Sequence, residues 1–85
     1  MNDLQTLRKQ IDEIDKEMAI LFNKRMKVVE KIKAYKKANN LEIFDKERED
    51  NLIKQNILHI DKEYQDLYKE VETTFLKLSK EYQAK

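Results

Sequence analysis

Residues 4–36 read "LQTLRKQIDEIDKEMAILFNKRMKVVEKIKAYK". Apolar side chains recur at Leu4, Leu7, Ile11, Ile14, Met18 and Leu21, and again at Val28, Ile32 and Tyr35. The steps alternate between three and four, the spacing of a heptad seam. Such a pattern predicts one uninterrupted helix from about residue 3 to about residue 37, roughly 50 Å long at about 1.5 Å per residue.

Outward from this stretch the pattern breaks at Asn39-Asn40. Asparagine tolerates the left-handed backbone of a helix C-cap, so the first helix should end there. A second apolar stripe, with Leu52, Ile53, Ile57 and Ile60, predicts a helix from about 45 to 58. Asp45 is its N-cap candidate, with acidic residues in the first turn. "His59-Ile60-Asp61" reads as a short connection, with Asp61 capping a third helix that carries Tyr64, Leu67, Val71, Phe75, Leu78 and Tyr82. Neither an internal repeat nor a low-complexity linker interrupts the chain, and residues 1–85 read as a single domain.

Composition agrees with an all-α fold. There is no Gly, Pro, Cys or Trp, charged residues make up 41% and the hydrophobic set 40%. Absence of helix breakers with abundant Lys, Glu, Leu and Ile favours helix throughout. The net charge of +1 gives no global field for nucleic acid or membrane. The basic run "KIKAYKK" (31–37) is interleaved with acids elsewhere on the chain and is a poor nucleic-acid surface. Zero cysteines exclude disulfides and thiolate metal sites. The N-terminal "MNDLQTLRKQ" lacks the apolar centre of a signal peptide, and no apolar run reaches membrane-spanning length. A cytoplasmic location is therefore expected.

The helix lengths do not balance within one chain. A compact domain of 85 residues is only about 30 Å across, so a 50 Å helix with an apolar seam projects out of it. A second copy packed along the long helix resolves the mismatch, and a homodimer of three-helix chains is expected. The alternative is an irregular monomeric three-helix bundle.

Some charges fall on the apolar stripes. In the first seam the position between Leu21 and Val28 is Arg25, an inward cation that is costly unless an anion pairs with it. Taken alone, Arg25 reads as a structural ion pair or a guanidinium that snorkels to the surface. Lys36 follows eleven residues later, which at about 100° per residue is nearly the same face; alone it is one more lysine of a basic run. In "IFDKERED" (43–50), stepping from Asp45 by three and four gives Arg48, Glu49, Leu52 and Ile53. Asp45, Arg48 and Glu49 thus extend the inward stripe of the second helix, while Lys46, Glu47 and Asp50 fall on solvated faces. Singly, the triplet is no more than an N-cap with an i,i+3 ion pair. Together, charges on the core-facing sides of two helices are typical of polar sites inside bundles. Arg8 adjoins the seam seventeen residues from Arg25, about 25 Å along the axis. One straight helix cannot bring both to one small ligand, but an antiparallel partner brings its own Arg8 near Arg25. Ser79 and Gln83 follow Phe75 at steps of four and flank the stripe of the third helix. His59, the only histidine, falls in a connection and reads as a surface residue.

In order, these residues resemble the all-helical class of chorismate mutase, the AroQ class or type II. The likeness begins at "LRKQIDEID" (7–15) and continues through "LFNKRMKVVEKIKAYK" (21–36), an Arg followed eleven residues on by a Lys. It reaches "IFDKERE" (43–49), similar to the family's Asp-x-x-Arg-Glu, and ends with Ser79 and Gln83. Each piece is weak alone; the ordered set covers most of the chain and is fairly specific. Two features depart from the family: "NNLEIF" (39–44) lacks the Pro that often precedes Asp-x-x-Arg-Glu, and the second connection is slightly shorter.

The resemblance implies an intertwined dimer of three-helix chains that rearranges chorismate to prephenate in aromatic amino-acid synthesis, without covalent intermediate, metal or organic cofactor. By the same resemblance Arg8 of one chain and Arg25 of the other hold the two substrate carboxylates. Lys36 and Gln83 donate to the ether oxygen, Asp45 and Glu49 lie near the ring hydroxyl, Arg48 supports the pocket's field and Ser79 contacts a carboxylate. Fixed cations and an amide suit a reaction in which negative charge grows on an ether oxygen. Two alternatives share the helix pattern: an isochorismate pyruvate lyase on the same fold, and a non-catalytic helical dimerisation module in which Arg25 and Lys36 form structural ion pairs.

Overall fold

The computed structural model describes residues 2–85. Helix α1 runs over Asp3–Ala38, α2 over Lys46–Asn56 and α3 over Gln65–Ala84, with single 3-10 turns at Ile57–His59 and Lys62–Tyr64 between the last two. No strand occurs among the described residues. The all-α expectation and the three-helix order hold.

The helix ends follow local chemistry. Asn2 caps α1, its side-chain oxygen accepting from the Leu4 N–H at 2.8 Å. At the other end Asn40 has φ 58, the left-handed conformation expected for this pair. The Leu41 N–H donates to the Lys36 carbonyl at 2.9 Å and the Asn40 N–H to the Lys37 carbonyl at 3.5 Å. This is a Schellman closure with asparagine in the place glycine usually takes. Asp45 caps α2 as expected, accepting from the Arg48 N–H at 3.0 Å.

The second connection differs from expectation. α2 ends at Asn56 rather than 58 and continues as a 3-10 turn. Asp61 makes no side-chain capping bond, and another 3-10 turn separates it from α3. No side chain caps the start of α3; the Gln65 side-chain amide instead donates to the carbonyls of Ile57 (3.3 Å) and Ile60 (3.1 Å). Those carbonyls belong to the connection, so a side chain closes the corner from the far side.

α1 and α3 run parallel. Phe22 meets Phe75 with ring centres 6.0 Å apart, and the Lys33 ammonium lies 4.9 Å from the centre of the Tyr82 ring. α2 packs antiparallel to α3, with Glu49 opposite Lys80. This leaves most of the heptad seam of α1 unused within the chain. From Leu4 to Tyr35 its members are 40–64% exposed, and every described residue up to position 24 is exposed. The stripe of α3 behaves likewise: Leu67, Val71 and Leu78 are exposed, whereas Glu72 and Ser79 are buried. Val29 is the one buried hydrophobic residue among those described. The Cα radius of gyration is 16.3 Å, against about 12 Å for a compact chain of this length. α1 and α3 therefore each have two faces: one packs within the chain, and an apolar one does not.

Candidate active site

The intrachain faces carry the charges. Arg25 and Lys36 sit three turns apart on α1, both half-buried, on the side turned toward α2 and α3. The Arg25 guanidinium donates to the Ser79 hydroxyl across the α1–α3 contact, and Ser79 is buried. Lys36 donates from Nζ to the carbonyl of Ile43 at 2.8 Å, which ties the end of α1 to the segment leading into α2. That bond and the Schellman closure involve the same residue: the Lys36 carbonyl fixes the turn while its side chain holds the following strand of loop. Glu49 lies one turn into α2, half-buried beside Lys80.

These side chains surround a cavity of about 280 Å³, at the small end of the usual range for small-molecule sites. Seven of the eight sequence-predicted residues line it: Arg25 and Lys36 from α1, Asp45 at the start of α2, Arg48 and Glu49 within α2, and Ser79 and Gln83 from α3. Val29, Ile32, Ile43, Leu52 and Leu76 supply apolar wall. Asp45 and Arg48 stand at the exposed margin rather than in the interior, so the inward triplet is graded, with Glu49 deepest. Lys46, Glu47 and Asp50 are exposed as expected, and Lys46 pairs with Asp50 at 2.9 Å in solvent. Arg8 does not reach this cavity; it lies on the exposed first half of α1.

Two features were not legible in the charge pattern. The first is Lys80, which lines the cavity and meets the Glu49 carboxylate at 3.2 Å. Its signal is a register: Leu76, rather than Phe75, lies on the cavity wall, and one step of four from Leu76 arrives at Lys80. The second is that Gln83 Oε1 is buried with no hydrogen-bond partner among the described residues. An orphan of this kind costs about 1–3 kcal/mol. A half-turn of the amide presents an N–H donor at the same place.

Four cations (Arg25, Lys36, Arg48, Lys80) face two carboxylates (Asp45, Glu49), a surplus of two positive charges. The wall is rich in donors, and its lone serine hydroxyl faces a guanidinium rather than a base. Such a wall can hold an anion, fix its conformation and stabilise charge that grows during a reaction.

Comparison with known proteins agrees with this chemistry. Residues 7–84 match the family model described as chorismate mutase type II. A bifunctional chorismate mutase/prephenate dehydratase of Aquifex aeolicus (strain VF5) is 41% identical over 63 residues, which is 74% of this chain and 17% of that protein. The chain therefore spans less than a fifth of the length of the curated relative it matches. No solved structure matches it.

Proposed function

The chain belongs to the chorismate mutase type II family, and from that premise we propose that it rearranges chorismate to prephenate in the cavity between its three helices. The product serves the synthesis of phenylalanine and tyrosine. The observation that carries the reading is the meeting of seven separated residues, from all three helices, around one cavity with a cationic surplus.

In this reading the substrate is a dicarboxylate that must be held with its reacting carbons close together. Arg25 grips one carboxylate, oriented by its bond to Ser79. Ser79 adds a contact to the same group. The second carboxylate is met by Arg8 of a second copy, because Arg8 of the same chain is about 25 Å away along α1. The exposed seam of α1 supports an antiparallel homodimer as the means of bringing it there. As the C–O bond breaks, negative charge gathers on the ether oxygen. Lys36 and the amide of Gln83 donate to that oxygen, and they bind it more strongly in the transition state than in the substrate. Lys36 exchanges its bond to the Ile43 carbonyl for the substrate, and the unpartnered amide of Gln83 gains a partner. Asp45 and Glu49 accept from the ring hydroxyl, and Arg48 adds positive field at the margin. No protein group makes or breaks a covalent bond.

Incubation with chorismate and, separately, with isochorismate tests the reading. Prephenate from chorismate is expected. Pyruvate from isochorismate without prephenate from chorismate would assign a lyase instead, and turnover of neither would leave a dimerisation module.

A further inference from the structure

Lys80 belongs to the cavity wall yet has no role in the chemistry above. Its Nζ lies 3.2 Å from Glu49 Oε2 and 3.3 Å from Oε1. The same Nζ stands 4.4 Å from the centre of the Phe44 ring, within cation–π range. The two side chains are 33% and 19% exposed. The Lys46–Asp50 pair, at 76% and 62%, is a one-turn helix contact in water and needs no further explanation. The pair at Lys80 differs in kind. Its partners come from different helices, are mostly withdrawn from solvent and line the same cavity.

Electrostatics gives the pair a purpose. A carboxylate half-withdrawn from water repels a second anion far more than one in bulk solvent does. Glu49 stands in the wall of a cavity read here as binding a dianion. With Lys80 removed, the surplus of two positive charges falls to one, and the uncompensated carboxylate faces the ligand. Lys80 offsets that charge, and the Phe44 ring fixes the side from which it does so. An ionised carboxylate has about four acceptor positions, so Glu49 still accepts from a ligand hydroxyl while paired.

We propose that Lys80 is a positioning residue that neutralises and orients Glu49, so that the cavity accepts a dicarboxylate carrying a hydroxyl group. The proposal rests on the mutase reading and names a residue that reading did not use. Lys80 acts on binding through Glu49 and touches no reacting atom, so its loss should appear in KM rather than in kcat.

Steady-state kinetics with chorismate on Lys80→Met, Lys80→Arg, Glu49→Gln and the Lys80→Met/Glu49→Gln pair test this, with melting temperatures recorded alongside. K80M should raise KM about tenfold with kcat within about twofold, and K80R should stay within about threefold of wild type on both. In the E49Q background, where no carboxylate charge needs offsetting, K80M should move KM by less than about twofold. Lys80→Gln serves the same comparison if K80M does not fold. An unchanged KM in K80M, or an equal rise in both backgrounds, would overturn the proposal and leave Lys80 as a strut between α2 and α3. Wild-type protein that does not turn over chorismate would remove the mutase reading and this proposal together. Normal wild-type turnover with an indifferent K80M would remove this proposal alone.

Discussion

Arg25 bears the heaviest demand of any single side chain. It sits on an inward face, half-buried, with a serine hydroxyl as its only polar partner among the described residues. A guanidinium so placed is poorly satisfied by the protein alone, because five N–H donors meet one oxygen. In the proposed function an anionic ligand supplies the remainder. Arg25→Ala is therefore expected to lower kcat/KM by a factor of about 10²–10³, the loss typical of one transition-state donor, while the melting temperature changes little. A large fall in stability with unchanged kcat/KM would show that the ion-pair reading was correct after all. Tyr68 poses a different question, away from the cavity. Burial pushes its phenol above the ordinary value; the neighbouring Asn56 side chain opposes this, and the Glu72 carboxylate adds to it. Its hydroxyl donates to Glu72 Oε2 at 3.2 Å. The unfolded chain then loses this proton at lower pH than the folded chain. The stability Tyr68 contributes is complete below about pH 10 and is lost as pH rises through the folded value. Thermal melts above pH 10 should show a shallower decline for Tyr68→Phe than for wild type. Single residues of this kind were unevenly legible. Arg25 betrayed itself by interrupting an apolar seam, whereas Lys80 acquires its meaning from Glu49 on another helix, which no local spacing records.

The segment between α1 and α2 does more than connect. Asn40 holds φ 58, Lys36 is both a Schellman acceptor and the donor to Ile43, and Asp45 caps the next helix while facing the cavity. With no Gly or Pro in the chain, asparagine must adopt the left-handed conformation, at a cost that glycine escapes. Asn40→Ala should destabilise by about 1–2 kcal/mol in denaturant melts, and Asn40→Gly by no more than a few tenths. The two duties of Asp45 can be separated. Asp45→Ala should cost about 0.5–2 kcal/mol through loss of the cap, whereas Asp45→Asn keeps the cap and changes only the charge beside the cavity. A kinetic effect shared by both variants, with a stability effect in only the alanine, would assign each duty. Helix type and order were readable from periodicity because long amphipathic stripes dominate local preference. The start of α3 was not: Asp61 looked like a cap, but Gln65 closes the corner through carbonyls five and eight residues back, a contact that exists only once the chain has turned.

The whole chain is too long and too thin for its sequence. It extends 57 × 25 × 16 Å, and the apolar seam of α1 stays half-exposed from one end to the other. Fully burying an aliphatic side chain is worth roughly 1.5–3 kcal/mol, so completing the burial of each half-covered seam residue gains on the order of 1 kcal/mol. A two-fold pair of chains makes every such gain twice. In the proposed dimer Arg8 of the second copy meets the cavity, whereas no bend in α1 brings Arg8 to the cavity of its own chain. The mismatch of lengths was visible in the sequence, but which face of α1 would serve its own chain and which a partner was not, because both carry apolar residues. The proposed function joins binding and assembly at Arg8 and Arg25, and subunit mixing tests that union directly. Arg8→Ala and Arg25→Ala proteins should each be nearly inactive alone. Unfolded together and refolded at equal concentration, half of the dimers combine one of each. Each of those holds one complete site and one doubly deficient site, so activity should return to about a quarter of wild type. A mixture no more active than its parents, or an Arg8→Ala protein as active as wild type, would contradict a site shared between two chains.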